Sequence, residues 1–535
     1  MKKTTASHIL TAVLTAVLIL LASALTPVSA EYKPGGKPVT SEAEFIAMKS
    51  DGEYYLADDI TINNSYMQVF TGTLNGNGKT ITVSAPAFKV FNGTVRDLTI
   101  KGSVSVSASA GAFAGETGGM TAWNVVNYAD VSCATAGQGG GLVGGSTAKA
   151  AVKFVGCINY GNVSATVRSG AFYAGGIIGC AATLDMYDCI NYGKISSASS
   201  GAQVGGMCGY VGFAAGQNDA VVYRCSNYGE IVSAYNAGGM IADLGIKDNI
   251  APRLFTFISC ENAGSVSGTK YVGGIAGYGY GSECQRIDLY YCLNTGTVTG
   301  GDRTGGFVSH FFAYCNYAFP NIQGCLGCGT LKKIGSSTAY FCFFGQSSAR
   351  GGMNGGIYGN VLAGDDVKWM TYALTDTNSA GRIPIEQAVE YGAVELISKD
   401  GLEDGSITML MNRKLGGNYF YQDLENGGLP TVRPEAGYVV YDLSVEEDKF
   451  VNGDEPRLPL PETLTPIDPD AWYEAPEPVE TEPEETSAPA PDTDAPETTL
   501  AQSGGCSGTA LSTAAVLVCA AGCAAVLKRK KRENG

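Results

Sequence analysis

Hydrophobic and polar positions repeat along the middle of this chain every 32 to 36 residues. Each unit begins with a phrase of the form Cys-x-Asn-Tyr-Gly and ends with Gly-Gly followed by apolar residues. Successive cysteines of the phrase lie 32, 36, 35, 32 and 33 residues apart. The phrase occurs in full at Cys157, Cys189 and Cys225 and in decayed form at Cys260, Cys292 and Cys325. A fixed period with variable edges predicts a stacked repeat array.

Alternation within each unit predicts how its side chains divide between two faces. Residues two apart in a strand share a face, so the Cys and the Asn should both point inward. The following Gly should turn the corner with a positive φ. Inward asparagines of successive coils can donate to one another, which satisfies their buried amides. The predicted structural ladder comprises Cys157, Asn159, Cys189, Asn191, Cys225, Asn227, Cys260, Asn262, Cys292 and Asn294.

Three short strands are expected in each unit. They are centred on the Cys-x-Asn-Tyr phrase, on the Val or Ile after the Gly, and on the Gly-Gly-Ile box. Before the array, Ser41 and Glu44 form a capping box that predicts a short amphipathic helix, suited to cover the open end of a solenoid. We place the N-terminal cap and first coils at 31–90 and the repeat array at 91–350.

Cysteine and glycine usage sharpens this picture. The chain has 73 glycines and 16 cysteines, and three of the cysteines lie in the C-terminal tail. The remaining thirteen are an odd number, and Val125 stands at the ladder position of a degenerate earlier copy. We therefore expect the ladder cysteines to be reduced and packed as small hydrophobes. Bridging between coils stays open, because adjacent strands are close enough for a disulfide.

Both ends of the chain predict export and anchoring. Residues 1–30 have a basic start, an apolar run and a small-x-small cleavage site, as a signal peptide does. Residues 508–527 form an uncharged stretch long enough for a transmembrane helix. The basic tail 528–535 then predicts a cytoplasmic C-terminus. The expected location is the extracellular side of the cell membrane or the cell wall, with a single-pass C-terminal anchor.

Between the array and the anchor we expect two further segments. Residues 361–445 have ordinary composition and are predicted to form a small α+β module. Residues 446–505 are rich in Pro, Thr and Glu and are predicted to be a disordered stalk. Much of the formal net charge of −16 lies in that stalk. The body is only mildly acidic, which argues against nucleic-acid binding.

Tyrosine follows the ladder asparagine at Tyr128, Tyr160, Tyr192 and Tyr228. Alternation directs these side chains outward or into the turn. Two interpretations are open. The rings either stack on one another and stabilise the turns, or they form a stripe that binds sugar rings or a protein partner. These four tyrosines are the candidate ligand-binding residues.

Catalytic and metal chemistry is poorly represented. One histidine, His310, remains after the signal peptide, so a histidine-rich metal site is not available. Adjacent acids such as Asp58 and Asp59 point to opposite faces of a strand, and glycosidases need two carboxylates in one site. Cys325 and Cys328 form a C-x-x-C without a second pair. We predict no catalytic residues, no metal and no cofactor.

The repeats resemble the GLUG-type repeats of secreted bacterial β-helix proteins, especially clostridial surface proteins. The resemblance rests on the Asn-Tyr-Gly-x-Val phrase, the Gly-Gly-Ile-x-Gly box and the stretch from Gly72 to Ile81. It implies a mainly β fold, a right-handed parallel β-helix of the pectate-lyase-like kind, and a surface location. The tail resembles tripartite sorting signals, with Gly504, Gly505 and Cys506 as candidate processing residues.

Taken together, these features predict a membrane-anchored surface protein of a Gram-positive bacterium. The expected function is adhesin-like binding or structural display, by a monomer that contacts a glycan or protein surface. The alternative is a polysaccharide-degrading lyase or glycoside hydrolase, because pectate-lyase-like folds often host such enzymes.

Overall fold

The structure is a computed structural model. It describes residues 35–107, 109–146, 151–212, 220–245, 253–281, 285–313, 321–334, 340–342, 346–347, 357–358, 360–363, 369–371, 382–384, 389, 394–424 and 426–434. The predicted signal peptide, stalk, anchor and basic tail lie outside these residues. Within the described residues no helix combines the length and apolarity needed to cross a membrane.

The described chain is mainly β and winds into a parallel β-solenoid, which confirms the predicted repeat architecture at that level. Each strand pairs in parallel with its counterpart one coil away. Ile158 lies beside Ile190, Val163 beside Ile195, and Ile178 beside Cys208. Strands that are consecutive in sequence follow one another around a coil. Strands that are hydrogen-bonded to each other lie in successive coils along the solenoid.

Among the described residues, three sheets are built in this way, with a separate two-stranded pair. The main sheet has 29 strands: Lys37–Val39, Glu53–Leu56, Ile60–Ile62, Thr73–Asn75, Thr80–Val83, Thr94–Val106, Met120–Asn127, Asp130–Cys133, Ala151–Val155, Ile158–Asn159, Val163–Ala165, Thr183–Tyr187, Ile190–Asn191, Ile195–Ser197, Ala220–Tyr223, Ser226–Asn227, Ile231–Ser233, Arg253–Ile258, Glu261–Asn262, Val266–Gly268, Gln285–Tyr290, Leu293–Asn294, Thr297–Gly300, Asn321–Gln323, Leu326–Gly327, Thr330–Lys333, Ile357–Tyr358, Asn360–Ala363 and Val394–Ile397. The seven-stranded sheet comprises Gly137–Gly140, Ala171–Gly175, Gly201–Gly205, Asn236–Gly238, Tyr271–Gly273, Arg303–Gly305 and Tyr340–Cys342. The ten-stranded sheet comprises Tyr66–Phe70, Phe88–Phe91, Ala114–Thr117, Val143–Ser146, Ile178–Ala181, Cys208–Val211, Ile241–Gly245, Ala276–Gly281, Val308–Ala313 and Gln346–Ser347. The antiparallel pair is Trp369–Thr371 with Arg382–Pro384.

The expectation of three strands per coil is wrong. The coil that starts at Ala151 has five: Ala151–Val155, Ile158–Asn159, Val163–Ala165, Ala171–Gly175 and Ile178–Ala181. A residue with positive φ, here Gly156 at 62°, separates the first two strands. The Gly-Gly-Ile box does not form a strand centre, because Gly176 and Ile177 form the bend between two strands.

The corner glycine of the phrase is required for a different reason than expected. Gly161 and Gly193 are not among the residues with positive φ. A Cβ built on Gly161 would lie 2.0 Å from the carbonyl oxygen of Ala129, and one on Gly193 would lie 1.9 Å from that of Gly161. Close stacking of coils, not backbone handedness, therefore excludes a side chain here.

The predicted N-terminal helix is confirmed at Glu42–Ile46. Ser41 caps it by accepting a hydrogen bond from the Glu44 amide at 3.3 Å. Glu44 in turn accepts from the backbone N–H of Thr40 at 2.7 Å. Phe45 is fully buried, with its ring centroid 4.9 Å from that of Phe88. The helix thus joins the apolar interior of the first coils.

After the array the chain returns to the wall of the solenoid. Val394–Ile397 pairs in parallel with Asn360–Ala363, which itself extends the main sheet. A 3₁₀ turn at Lys399–Gly401 and an α-helix at Ser406–Leu415 follow. The helix ends at Gly416, whose positive φ of 71° suits a glycine C-cap. The limits proposed for the 361–445 module stay a prediction.

Candidate functional site

The Cys and the Asn of each ladder phrase point into the coil interior. Each asparagine donates from Nδ2 to Oδ1 of the next, from Asn127 to Asn294, at 2.8 to 2.9 Å. The same Nδ2 also donates to the carbonyl two residues on, as Asn159 does to Gly161 at 2.8 Å. The ladder asparagines and cysteines are fully buried, and ten cysteines of the described chain are free thiols. This arrangement serves the build of the coil and offers no surface to a ligand.

The tyrosines form an outward column beside this ladder. Ring centroids of Tyr128 and Tyr160, Tyr160 and Tyr192, and Tyr192 and Tyr228 are 4.7, 4.9 and 5.1 Å apart, and the rings are nearly parallel. Tyr128, Tyr160 and Tyr192 are 49, 41 and 44% exposed. The neighbouring ring covers each inner face, so the column presents ring edges and hydroxyls to solvent rather than open aromatic faces.

Later coils are covered on their outer face by residues 402–424 and 426–434, which we call the clasp. Its apolar side chains Leu402, Ile407, Met411, Phe420 and Val432 form one buried cluster with wall residues of three successive coils. Those wall residues are Leu293, Leu326 and Val361, each at the position between the Cys and the Asn or its equivalent. Burial of these apolar side chains stabilises the packing of the clasp against the solenoid.

Glu261 is the acidic member of the same wall row and lies at the edge of the clasp. Its carboxylate accepts hydrogen bonds from Thr431 Oγ1 at 2.6 Å and from the Val432 amide at 3.3 Å. Tyr228 donates from its hydroxyl at 3.4 Å, which joins the tyrosine column to the clasp. Glu261 is 2% exposed. Burial raises its pKa to about 7, despite these hydrogen bonds and the nearby Arg433.

A cleft lies between the clasp and the wall. Four tyrosines dominate its lining, with polar and apolar residues from both sides. The lining residues are Tyr223, Arg224, Ile258, Ser259, Tyr291, Asn418, Tyr419, Tyr421, Val432 and Pro434. Tyr291 and Tyr419 stack across the junction with ring centroids 3.9 Å apart. The lining of the cleft thus combines aromatic surface with polar groups.

Backbone strain coincides with this cleft. The residue before each ladder cysteine, or before its equivalent in earlier coils, adopts positive φ. In several coils this residue is Gly, Asn or Asp, which tolerate that conformation. At Arg224, Ser259 and Tyr291, with φ of 49, 48 and 56°, the residue type does not favour it. Left-handed backbone is unfavourable by about 1–2 kcal/mol for such residues. All three line the cleft, and strained residues cluster at functional sites.

Arg224 is held in place on the cleft wall by its neighbours. Its Nη2 lies 2.6 Å from Oδ2 of Asp188, one coil away. The guanidinium also lies 5.1 Å from the centroid of the Tyr223 ring, within reach of a cation–π contact. The clasp approaches the same residue, because Arg433 donates from Nη1 to the Arg224 carbonyl at 3.3 Å.

Sequence reasoning missed the cleft. It singled out the tyrosine after each ladder Asn, whereas Tyr223, Arg224 and Tyr291 precede the cysteines of their phrases. A signal was present, since the position before the cysteine carries Gly or Asp in other units and Arg, Ser or Tyr in these three. The contribution of Tyr419 and Tyr421 could not be read from the repeat, because the clasp lies outside it.

Other sequence candidates occupy separate places. His310 is 2% exposed, with its ring 5.8 Å from that of Tyr278. Cys325 faces the solenoid core and Cys328 the cluster under the clasp, so the C-x-x-C thiols point to different interiors. Gly504, Gly505 and Cys506 lie outside the described residues. Among the residues that the structure describes, no group of three or more His, Cys, Asp or Glu is placed to hold a metal ion.

Comparison with known proteins adds little to this geometry. No family model and no curated protein matches the chain. A solved structure from Bacteroides ovatus, described as a "putative immunoglobulin A1 protease", is similar over 75% of this chain and 95% of its own, at 15% identity and a TM-score of 0.30. A similarity at this score carries no argument about function.

Proposed function

We propose that this chain is a bacterial cell-surface binding protein of the adhesin-like kind, anchored by its C-terminal segment and acting as a monomer. In this proposal the solenoid is a right-handed, pectate-lyase-like β-helix that presents the cleft to a glycan or protein ligand. The observation that carries it is the coincidence of Arg224, Ser259 and Tyr291, all strained, in one tyrosine-lined cleft. Strained backbone clusters at binding and active sites, which supports the proposal.

The tyrosine column supports the same proposal as an approach to the cleft. It leads along the wall from Tyr128 to Tyr228, where Tyr228 bonds to Glu261 beneath the clasp. A ligand chain that lies along the column would meet hydroxyl groups at the spacing of successive coils. We expect hydrogen bonds from those hydroxyls, since self-stacking already covers the inner ring faces.

The test is a glycan and protein array probed with the wild-type chain, Tyr421→Ala and Tyr160→Ala, each checked for an unchanged unfolding midpoint. Saturable binding that Tyr421→Ala weakens at least as strongly as Tyr160→Ala supports the cleft as the site. Binding that survives both substitutions would place the ligand elsewhere and reject the assignment.

A polysaccharide-degrading enzyme is the second candidate, and Glu261 favours it. A carboxyl group with a pKa near neutrality suits general acid–base catalysis. Glu261 is buried beneath the clasp and does not itself line the cleft, so the clasp would have to move for its carboxyl group to reach a substrate. Release of reducing sugar ends from an array-positive glycan, abolished in Glu261→Gln, would establish turnover. Saturable binding without product release would reject the enzyme.

A further inference from the structure

The tyrosine column holds its phenol rings in register from coil to coil. The backbone N–H of Tyr160 donates to the Asn127 carbonyl at 2.7 Å, and that of Tyr192 donates to the Asn159 carbonyl at 2.8 Å. The hydrogen bonding of the sheet thus continues through the tyrosines. Ring planes differ by 3° between Tyr128 and Tyr160 and by 5° between Tyr160 and Tyr192. Equivalent carbons of neighbouring rings are therefore separated by about one strand spacing, roughly 4.8 Å.

The column combines this spacing with access from solvent. Tyr128, Tyr160 and Tyr192 are 41 to 49% exposed, and stacking covers the ring faces rather than the edges. The carbon beside the hydroxyl-bearing carbon, the ortho carbon, lies on such an edge. Exposed side chains rotate within nanoseconds, so two neighbouring rings can move from stacking distance to bonding distance.

Two other tyrosine pairs of the solenoid differ in both respects. Tyr173 and Tyr210 are tilted by 40° to each other, and Tyr187 and Tyr223 by 55° at a centroid distance of 6.4 Å. Tyr210 is 9% exposed and Tyr187 is 7% exposed. Parallel stacking on an open surface is thus a property of the column that these pairs do not share.

The inner end of the column has a proton acceptor within the chain. Tyr228 is half-buried, and its hydroxyl donates to the Glu261 carboxylate at 3.4 Å. A phenol that loses one electron becomes a strong acid and releases its phenolic proton. Water takes this proton at the exposed members of the column, and the Glu261 carboxylate can take it at Tyr228.

We propose that the tyrosine column is an oxidative modification site, at which tyrosines of successive coils are joined as dityrosine. The oxidant is of the haem peroxidase class, supplied with hydrogen peroxide. Two neighbouring tyrosines each lose one electron and one phenolic proton, and their ortho carbons form one carbon–carbon bond. The hydrogen on each bonded carbon then moves to its oxygen, which restores both phenols. One molecule of peroxide takes up the electrons and protons and is reduced to two molecules of water.

This modification ties together coils that are otherwise held by hydrogen bonds and packing. A cross-link restricts the unfolded chain, as a disulfide does, so the oxidised chain should unfold at a higher temperature. The column can hold one bond between Tyr128 and Tyr160 and another between Tyr192 and Tyr228. The reaction needs no ligand in the cleft and is independent of the function proposed for it.

The experiment treats the dilute full chain with a haem peroxidase and hydrogen peroxide, then maps linked peptides by mass spectrometry and records dityrosine fluorescence. We expect a monomeric product, lighter by one pair of hydrogen atoms per bond, in which the linked peptides join column tyrosines of adjacent coils. The test variant carries Tyr160→Phe and Tyr192→Phe, which keep stacked rings but leave no two adjacent phenols in the column. The matched control carries Tyr271→Phe and Tyr278→Phe, which alter a different stacked pair.

The test variant should lose most of the dityrosine fluorescence, whereas the control should retain that of wild type. Wild type oxidised in denaturant is a second comparison that needs no substitution. Its linked peptides should no longer favour the column, because the register of the coils is lost. Three results would each overturn the proposal: no dityrosine in the folded wild type, linked peptides that mainly join tyrosines outside the column, or equal fluorescence of wild type and the test variant.

Discussion

The backbone of Gly176 passes directly over the side chain of Asn191, one coil further along the solenoid. A Cβ built on Gly176 would lie 2.4 Å from Asn191 Oδ1 and 2.3 Å from the carbonyl oxygen of Gly206. The second glycine of the Gly-Gly box and the asparagine of the Cys-x-Asn-Tyr phrase are therefore one packing unit. The same pairing recurs between Gly141 and Asn159 and between Gly206 and Asn227, which explains why the two halves of the repeat occur together.

Gly176→Ala should destabilise the solenoid strongly, because the new methyl group meets backbone and a buried amide rather than a mobile side-chain end. We expect a loss of about 2–4 kcal/mol, at the upper end of the range for overpacked cores. Chemical denaturation measures it. Gly35→Ala is the control, since a Cβ there meets nothing within 4 Å; equal effects of the two substitutions would contradict the packing argument.

Asn191→Ala should also be costly, since it removes both ladder hydrogen bonds of a central member. Asn159 Nδ2 loses one of its two acceptors, at 2.8 Å, and Asn227 Oδ1 loses its donor, at 2.9 Å. Each buried polar group left unpaired costs about 1–3 kcal/mol. We expect a fall in the free energy of unfolding, measured by denaturant titration. Asn162→Ala, which removes an exposed amide bonded to Asp130, is the comparison and should change stability far less.

The ladder thiols should resist alkylation in the folded chain. Cys189 and Cys225 are fully buried, and burial raises the pKa of both thiols well above the ordinary value. The thiolate is the reactive form, so both the population of that form and the access to it are suppressed. Mass spectrometry after iodoacetamide treatment should find them modified only in denaturant. Rapid labelling of the native chain would show that the coils open.

Glu261 should make stability depend on pH in a defined window. Its folded pKa, about 7, lies above the ordinary value of 4.5 for a glutamate, so the folded state binds the proton more tightly. The resulting stabilisation is complete below pH 4.5, falls as pH rises through the window and is absent above pH 7. Its size is on the order of 3 kcal/mol.

The effect is measured as the difference in the free energy of unfolding between wild type and Glu261→Gln at several pH values between 4.5 and 7. Asp243 also has a raised pKa, and taking the difference between the two curves removes its contribution. Glu230→Gln, which alters an exposed pair with Lys194, is the control and should follow the wild-type curve. A Glu261→Gln curve parallel to wild type would exclude Glu261 as the titrating group.

Ser259→Gly should stabilise the chain, because glycine adopts positive φ without the strain that serine bears at 48°. Relief of about 1–2 kcal/mol is reduced by the greater freedom of glycine in the unfolded state, about 0.5–1 kcal/mol. Asn124→Gly is the control at the equivalent position, since asparagine tolerates this conformation. Thermal unfolding compares them. If Ser259→Gly proves less stable than wild type, Ser259 does not bear the backbone strain inferred from its positive φ.

Much of the coil could be predicted, because its rules are local. The inward Asn and the outward Tyr follow from alternation within a strand, and the period places their equivalents in successive coils. The strand count and the role of Gly161 could not be predicted in the same way. Both depend on contacts between coils: the kink at Gly156 and the carbonyl of Ala129, which leaves no room for a Cβ.

The candidate site shows the same division more sharply. Tyr160 was accessible to sequence reasoning as a repeated, outward residue, whereas its stacking on Tyr128 and Tyr192 became evident only from the ring distances, and its binding to a ligand stays a prediction. Glu261 had no distinguishing mark in the sequence. Its partner Thr431 stands 170 residues away, outside the repeat.

The sequence by itself therefore determined a repeating parallel β-solenoid with a buried asparagine ladder, since periodicity and alternation act between near neighbours. Only the tertiary structure decided where the clasp covers the wall and which residues bear strain at the cleft. The physical reason is that these features arise from the close approach of segments distant in sequence. Their burial and hydrogen bonding are set by the packing that brings them together.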